Sequence, residues 1–117
     1  MAAAFELRQT NNGQFMFNLK AVNGEIILTS QSYTTKASAE EGIESVRTSA
    51  PIDARFERRK ATDGQHYFVL KAANDQVVGR SELYVSASAV ENGVASVQRN
   101  APEAHIKDLT LGLAGAH

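Results

Sequence analysis

Six side chains suited to contact with anions or flat rings lie at alternate positions of segments that have a two-residue hydrophobic period. Arginine and lysine neutralise phosphate or carboxylate groups, and a tyrosine ring stacks on a nucleobase. A sheet face that combines the two is typical of some proteins that bind single-stranded nucleic acid. The six residues, which we call the candidate binding face, are Arg8, Lys20, Arg59, Tyr67, Lys71 and Arg80.

The same pattern has a simpler interpretation as a solvated sheet face. Glu6 and Glu57 alternate in phase with the arginines and would offset them through cross-strand ion pairs. Apolar side chains are also predicted there, namely Met16, Ile27, Val69 and Val78. Because this is more apolar area than a solvated surface needs, we expect the other half, another subunit or a ligand to cover it. A protein or small-ligand partner is therefore favoured over nucleic acid.

Two tyrosines, Tyr33 and Tyr84, recur with Ser30 and Ser81 at predicted strand-to-helix junctions. A tyrosine hydroxyl beside a lysine can donate a proton in catalysis. More often a repeated tyrosine packs its ring into the core and bonds its hydroxyl to the backbone. We favour the structural role for both residues.

Other residues that carry chemistry are sparse. The chain has no cysteine, which excludes disulfides, thiolate metal sites and thiol nucleophiles. His66, His105 and His117 are not spaced as metal ligands, and no carboxylate cluster accompanies them. The segment 11–13, Asn-Asn-Gly, is a turn and not a phosphate-binding loop. We predict no metal, no cofactor and no catalytic residue.

Bulk properties limit the partners further. A net charge of −1 removes the usual argument for a dedicated nucleic-acid or acidic-lipid binder. No apolar run approaches the roughly twenty residues that cross a bilayer. Residues 1–6 lack the basic and apolar regions of a signal peptide. We expect a cytoplasmic protein without membrane contact.

The chain matches itself without a gap when it is shifted by 51 positions. Phe17, Leu19 and Lys20 fall on Phe68, Leu70 and Lys71, and more than a third of the aligned positions are identical. This indicates duplication. Two copies are too few for a solenoid, so we predict a closed arrangement with pseudo-twofold symmetry.

Each copy begins with segments of period two, which predicts strands. A three-residue loop at 11–13, with Gly13 in the left-handed conformation, would pair Leu7 with Phe17 and Phe5 with Leu19. A tight two-residue turn at Asn23-Gly24 would then place Ile26 opposite Ala21 and Leu28 opposite Leu19. The predicted core face is Phe5, Leu7, Phe15, Phe17, Leu19, Ala21, Ile26 and Leu28, with Phe56, Phe68, Leu70, Ala72 and Val77 in the second copy. Arg58 breaks that pattern and is expected where the sheet meets water.

A helical period follows in each copy, at Ala39, Ile43, Val46 and Ala50 and again at Val90, Val94, Val97 and Ala101. Thr35 and Ser86 are the predicted N-caps, with capping boxes at Ser38 and Ser88 as rivals. Pro51 and Pro102 end the helices. Glycine inside both helices, at Gly42 and Gly93, predicts close backbone approach, either of helix to sheet or of helix to helix. The tail, 106–113, either adds a short strand or is mostly mobile after about Asp108, and we favour mobility.

Two segments resemble the YegP-like family of small bacterial proteins, which are often tandem repeats without an assigned activity. They are residues 17–30, FNLKAVNGEIILTS, followed by Tyr33, and residues 36–46, KASAEEGIESV. The resemblance covers both copies and implies an α+β fold in which two such motifs share antiparallel sheet. It transfers no catalytic residue and no ligand.

The predicted protein is therefore an α+β domain of two tandem β-β-β-α units, with an antiparallel sheet packed against two helices. Repeat one spans 5–54, repeat two spans 55–108, and the C-terminal tail spans 109–117, within a single domain of residues 1–117. We expect a monomer, because duplication supplies its own partner. The favoured function is a small non-enzymatic binding or protein-interaction module. The alternatives are single-stranded nucleic-acid binding through the sheet face and an unrecognised enzyme.

Overall fold

The computed structural model describes residues 2–110, which form seven strands and two α-helices. Repeat one contributes β1 (Ala4–Gln9), β2 (Phe15–Lys20), β3 (Ile26–Thr29) and α1 (Lys36–Ser49). A 3₁₀ turn at Asp53–Arg55 leads into repeat two, with β4 (Phe56–Lys60), β5 (His66–Lys71), β6 (Val77–Arg80) and α2 (Ala87–Asn100). The last strand is β7 (His105–Asp108). The chain is thus of the predicted α+β class.

All seven strands belong to one sheet, in the order β4-β5-β6-β3-β2-β1-β7. β3 and β6 pair antiparallel at the centre and join the two repeats. The outermost pair, β1 and β7, is parallel. Both helices pack on one face, and each contacts strands of both repeats. No helix in the described part of the chain is long and apolar enough to cross a membrane.

The first hairpin of each repeat has the predicted register. Leu7 pairs with Phe17 and Phe5 with Leu19, and the Thr10 amide donates to the Gln14 carbonyl at 2.7 Å. Gly13 has a φ of +83°, in the left-handed region that glycine adopts without strain. Turn chemistry and hydrophobic pattern therefore specify the same register.

The second hairpin differs from the prediction by one residue. The Ala21 amide donates to the Glu25 carbonyl, which closes a three-residue loop in place of the expected two-residue turn. A β-bulge follows: Leu28 pairs with Leu19 as predicted, but Ile26 pairs with Lys20 and not with Ala21. The bulge leaves Ile26 41% exposed, so its assignment to the core was wrong. Ile27 takes the buried place.

Repeat two has the same bulge, between Leu70 and Lys71. Val78 joins the core there, and the predicted core residue Val77 is only half-buried. The remaining core face is as expected, with Phe5, Phe17, Leu19, Phe68 and Leu70 fully buried under the helices. Phe15 and Ala72 are partly buried at its margin. Arg58 lies at the solvent boundary, as predicted.

Both helices begin at the predicted N-caps. The Thr35 hydroxyl accepts from the Ser38 amide at 3.1 Å, and Ser86 accepts from the Ala89 amide at 3.1 Å. The rival capping boxes at Ser38 and Ser88 were wrong, because both serines lie inside the first turn. The helices end before Pro51 and Pro102, as proline requires.

The helix glycines provide room for the repeated tyrosines. Tyr33 stacks on Phe17 with 6.3 Å between ring centroids, and its hydroxyl lies against Gly42, where a Cβ atom would overlap it. At Gly93 a Cβ atom would lie 2.6 Å from the Tyr84 hydroxyl. The close approach is therefore between helix and strand-to-helix junction. The predicted hydroxyl-to-backbone bond is not among the hydrogen bonds of residues 2–110, so that detail was wrong.

The tail begins as a strand. Residues 105–108 form β7 on the outer edge of β1, and two cations of α1 hold it there. The Lys36 ammonium lies 2.6 Å from the Asp108 carboxylate, and the Arg47 guanidinium donates to the Ala104 carbonyl at 2.6 Å. The mobility predicted after about Asp108 was wrong for the next two residues, because the Leu109 amide donates to the Leu7 carbonyl and the buried Thr110 is bonded to Asp108. The rest of that prediction falls on residues 111–117, outside the described residues.

Candidate functional site

The sheet face opposite the two helices, here called the open face, carries all six residues of the candidate binding face. Alternation along β1 places Glu6 and Arg8 on it, because Phe5 and Leu7 point into the core. The same alternation places Lys20, Tyr67, Lys71 and Arg80 there. The structure therefore brings the six onto one surface but divides them into three groups.

The first group belongs to repeat one and is an internal ion-pair set. Glu6 accepts from the Arg8 guanidinium at 2.9 Å and lies 3.3 Å from the Lys20 ammonium. The Glu6 side chain is only 11% exposed. Because its carboxylate is committed to both cations, Arg8 and Lys20 are held by the face itself.

The second group is the same set in repeat two, 51 residues later. Glu57 binds the Arg59 guanidinium and lies 3.3 Å from the Lys71 ammonium. Hydrogen bonds from Arg59 and then Lys71 lower the pKa of Glu57. Glu57, followed by Tyr67, raises the pKa of Arg59. Ion pairs within the face therefore account for four of the six candidates, as the simpler interpretation expected. Only the lysine pairs are cross-strand, because Arg8 and Arg59 bind the glutamate two residues earlier in their own strand.

The third group is Tyr67 and Arg80, which line one open depression of about 520 Å³. Lys60 and Leu83 also line it, and Leu83 is 48% exposed. Among residues 2–110, neither Lys60 nor Arg80 forms an ion pair. The depression thus combines two cations, one carboxylate, at Glu82, an aromatic ring and an exposed aliphatic side chain.

Repeat one has different residues at the four equivalent positions. The depression residues Lys60, Tyr67, Arg80 and Leu83 correspond to Gln9, Met16, Thr29 and Ser32. Both cations and the aromatic ring are therefore specific to repeat two. Over whole strands, β4 to β6 carry five cations and one carboxylate, whereas β1 to β3 carry two cations and one carboxylate. Positive charge is concentrated at the β4 end of the sheet.

The apolar part of the predicted face was overestimated. Ile27 and Val78 turn into the core because of the two bulges, so they do not belong to the open face. Val69 remains there yet is only 2% exposed. Its cross-strand neighbours are Glu57 and Arg80, whose long side chains can shield it. A covering partner is not needed to bury these residues.

Among the residues considered for catalysis or metal binding, Ser81 lines the depression, and His66 lies opposite Lys60, next to it. Burial raises the pKa of Tyr33 and of Tyr84, which makes their hydroxyls weaker acids. His66 is half-buried in β5 and His105 is exposed in β7, while His117 lies outside the described residues. Within residues 2–110, no three histidine, aspartate or glutamate side chains form a possible metal site.

Sequence reasoning missed Lys60 and Leu83. Lys60 is the last residue of β4 and lies opposite His66, on the helix side of the regular alternation, and Leu83 lies in the segment after β6. A signal was available, because both positions change character between the repeats, from Gln9 to Lys60 and from Ser32 to Leu83. Divergence between equivalent positions is therefore a better indicator of this site than residue type alone.

Comparison with known proteins identifies relatives over nearly the whole chain. A family model described as a domain of unknown function, DUF1508, matches residues 10–57 and again 61–108. The protein YegP of Yersinia pestis is 52% identical over 107 residues, which cover 92% of this chain and 96% of the relative. YegP of Escherichia coli K12 is 50% identical, covering 94% of this chain and 100% of the relative.

Two solution structures have the same fold. The structure of yegP from Escherichia coli, described as a protein of unknown function, has a TM-score of 0.88 at 50% identity and covers 93% of this chain and 94% of the relative. A UPF0339 protein from Shewanella oneidensis has a TM-score of 0.90 at 49% identity, with 100% and 99% coverage. These matches confirm the resemblance and the tandem repeat.

Proposed function

The chain belongs to the DUF1508 family, and we propose that it is a small non-enzymatic binding module whose site is the depression on the open face of repeat two. The observation that carries the proposal is the convergence of Tyr67 and Arg80 on the open face, in a depression that Lys60 also lines. The other four candidate residues are engaged with Glu6 or Glu57. We also take the repeats to be related by a near-twofold rotation, which the reversal of strand order about β3 and β6 supports.

The depression suits a ligand that combines an anionic group with a flat apolar group. The Arg80 and Lys60 side chains can neutralise a phosphate or carboxylate, and arginine can also hold it with two parallel hydrogen bonds. Tyr67 and Leu83 offer an aromatic and an aliphatic wall for the apolar part. A small ligand, or a side-chain pair of a partner protein, has this chemistry.

A binding role without catalysis is favoured by the position of the repeated tyrosines. Tyr33 and Tyr84 are the residues whose hydroxyls were considered as proton donors. Each hydroxyl instead lies against a helix glycine, where its function is to fill space. We therefore expect Tyr33→Phe together with Tyr84→Phe to lower stability and to leave ligand binding unchanged.

The second candidate, single-stranded nucleic-acid binding, has one observation in its favour. Tyr67 provides a stacking surface beside Arg80 and the Arg59–Glu57–Lys71 set, and bases stack on such rings without sequence preference. A strand of nucleic acid would have to extend past the depression across the paired cations. The two candidates therefore differ in how many residues they engage.

Two titrations, each followed by amide chemical shifts, test the two candidates. Phenyl phosphate tests the small-ligand site, and a thymidine oligonucleotide of about twelve nucleotides, a length within the known site sizes of single-strand binding domains, tests nucleic-acid binding. We expect phenyl phosphate to shift the amides of Tyr67, Arg80 and Leu83. Arg80→Thr and Tyr67→Met, which install the repeat-one residues, should each weaken binding by about tenfold, the loss of one charged hydrogen bond or one stacked ring.

Arg8→Thr is the matched control, because it removes a cation of the same face that is committed to Glu6. It should leave binding of phenyl phosphate unchanged. If phenyl phosphate shifts none of the depression amides at millimolar concentration, the proposed site is wrong. If only the oligonucleotide binds, and the shifts extend to Lys20 and Lys71, the nucleic-acid candidate replaces it.

A further inference from the structure

The outer edge of β4 has unpaired backbone groups among residues 2–110, because β4 is the end strand of the sheet. The Ala61 amide donates to the Gln65 carbonyl, and donors alternate in direction along an antiparallel strand. Glu57 and Arg59 therefore direct their amides and carbonyls to β5. Arg58 directs its amide and carbonyl outwards, away from the sheet. The Phe56 carbonyl also points outwards, but the Phe56 amide donates to the Asp53 carbonyl of the preceding 3₁₀ turn.

The equivalent edge of β1 accepts a strand. β7 lies there in parallel register, with Phe5 paired to Ile106 and Leu7 to Asp108, and the Leu109 amide donates to the Leu7 carbonyl at 2.8 Å. Leu7 and Phe5 correspond to Arg58 and Phe56. An end strand of this sheet can thus bind a parallel extended segment, and the β4 edge directs the Arg58 amide and carbonyl outwards as the β1 edge directs those of Leu7.

The cations beside the two edges come from different elements. The cations that hold β7 come from α1, at Lys36 and Arg47, and α2 has Ala87 and Gln98 at those positions. At the β4 edge the cations lie in the strand itself, at Arg58, Arg59 and Lys60. A segment that adds to β4 would therefore meet Arg58 and Lys60 on one side of the strand and Arg59, which is paired with Glu57, on the other.

Arg58 occupies the edge when no strand is bound. Its guanidinium donates to the outward carbonyl of Phe56 at 3.3 Å and also binds Glu91 at 2.8 Å and Asp53 at 3.1 Å. All three acceptors lie near the solvent, since the Glu91 and Asp53 side chains are 56% and 69% exposed. An incoming carboxylate can replace them at small cost, because exposed ion pairs contribute little.

We propose that the β4 edge binds an acidic extended segment of a partner protein, which adds to the sheet parallel to β4. Main-chain hydrogen bonds supply part of the affinity, as in other cases of strand addition, and Arg58, Arg59 and Lys60 select acidic side chains. The same cations oppose a second copy of this chain, because two β4 strands would place like charges opposite each other. This inference concerns a different surface from the proposed ligand site and does not depend on it.

The test uses the β7 segment as a probe, since its register on an equivalent edge is known. The acidic peptide has the sequence of residues 104–110 with His105→Glu, Leu109→Glu and Thr110→Glu, which keeps Asp108 opposite Arg58. The control peptide carries lysine at the three changed positions. Amide chemical shifts and amide hydrogen exchange of the full chain are measured with each peptide up to millimolar concentration.

We expect the acidic peptide to shift the amides of β4 and to slow exchange at Arg58, whose amide points outwards. It should bind about tenfold more tightly than the lysine peptide, given three reversed charge pairs. Arg58→Leu should weaken binding of the acidic peptide but retain it, because leucine keeps the backbone donor. Arg58→Pro should abolish binding, because proline lacks the donor and is tolerated where an edge amide faces solvent.

The proposal is overturned if neither peptide shifts β4, or if both bind equally well. It is also overturned if the free chain self-associates through β4 in sedimentation experiments, which would make a second copy the occupant. Peptide-induced shifts confined to Tyr67 and Leu83 would contradict it while supporting the ligand site, so failure of one proposal is distinguishable from failure of the other.

Discussion

Leu7 in β1 and Arg58 in β4 occupy equivalent positions, 51 residues apart, in opposite surroundings. Leu7 has no exposed surface, because the helices cover one side of β1 and β7 covers its edge. Arg58 lies on an edge that no other strand among residues 2–110 pairs with, and its side chain is 34% exposed. The two repeats share a core, but the end strand of repeat one is covered by β7, whereas no strand among residues 2–110 covers the end strand of repeat two.

The difference shows which positions can diverge in sequence after a duplication. The aromatic contacts under the helices are kept in both repeats, as at Phe17 and Phe68, because each ring packs against a tyrosine and a glycine of its own repeat. Core positions where the repeats meet differ, since Leu28 corresponds to Gly79 and fills the space that a Cβ atom there would take. Positions at the sheet ends face different neighbours, so their residues have diverged. Both surfaces that we propose for binding lie at the β4 end, where the cations of repeat two are concentrated.

The largest effect is expected from exchanging the two edge residues. Leu7→Arg places a charge under the helices and β7, where an unpaired buried charge costs about 4 kcal/mol of folding free energy. The reciprocal Arg58→Leu removes only exposed ion pairs and should change the free energy of unfolding by less than about 1 kcal/mol. Urea unfolding of both variants measures this, and similar losses would show that the edges are not different.

The next largest effect concerns the shared core. Gly42→Leu inserts a side chain where the Tyr33 hydroxyl and the Phe17 ring already lie, so overpacking should cost about 3 kcal/mol. Helix propensity alone favours leucine over glycine, by a little less than 1 kcal/mol. A loss therefore reports packing and not propensity.

Gly93→Leu is the matched variant, because Tyr84 and Phe68 surround Gly93 in the same way. Thermal and urea unfolding should give losses within about 1 kcal/mol of each other for the two variants, the spread expected for one packing change in two sites. A stabilised Gly42→Leu protein would remove the packing argument, and a large inequality would show that the cores of the repeats are not equivalent.

Local patterns were sufficient to predict the parts of the fold that depend on neighbours in sequence. The first hairpin follows from Gly13 and the alternation on either side, and the helix starts follow from Thr35 and Ser86. The bulge at Ile27 was not predictable in this way, since both a two-residue and a three-residue loop fit Asn-Gly. Only the packing of Ile27 under the helix decides between them.

The candidate site was predictable only in part for a similar reason. Alternation placed Tyr67 and Arg80 on the open face, but the commitment of Arg59 and Lys71 to Glu57 depends on side-chain geometry. The pairing of β7 with β1 joins segments about a hundred residues apart, and hydrophobic period carries no information about such a partner. The free edge of β4 was therefore not foreseeable from repeat one.

A smaller effect is expected at the two ion-pair sets on the open face. Glu6→Gln removes the charge of a carboxylate that is 11% exposed and bound to two cations, so it should cost about 1 kcal/mol or more. Glu57→Gln should cost less, because Glu57 is 42% exposed and water screens its pairs. Urea unfolding at low and high salt checks both, and a greater loss at Glu57 would reverse our ranking of the two sets.

The smallest effect is a pH dependence of the folding stability, which arises at the β1 edge that β7 covers. Burial disfavours the charged form of Asp108, but the hydrogen bonds from Lys36 and Thr110 together outweigh it and lower the pKa below its ordinary 3.8. A lowered folded pKa contributes stability above the unfolded value, and this contribution is lost as pH falls through the folded pKa. Exposure limits the contribution to less than about 1 kcal/mol.

The Asp108→Asn variant should therefore lose less stability than the original chain as the pH falls below about 4, the pKa of an aspartate in the unfolded chain. Amide exchange at Leu109 reports whether β7 is released from β1. Glu91→Gln is the control at the other edge. Arg58 lowers the pKa of Glu91 in the same direction, but no strand depends on that pair, so amide exchange of β4 should not change. If acid releases β7 equally well from the Asp108→Asn variant, the Lys36–Asp108 pair does not hold the strand, and β7 stays on β1 through main-chain hydrogen bonds alone.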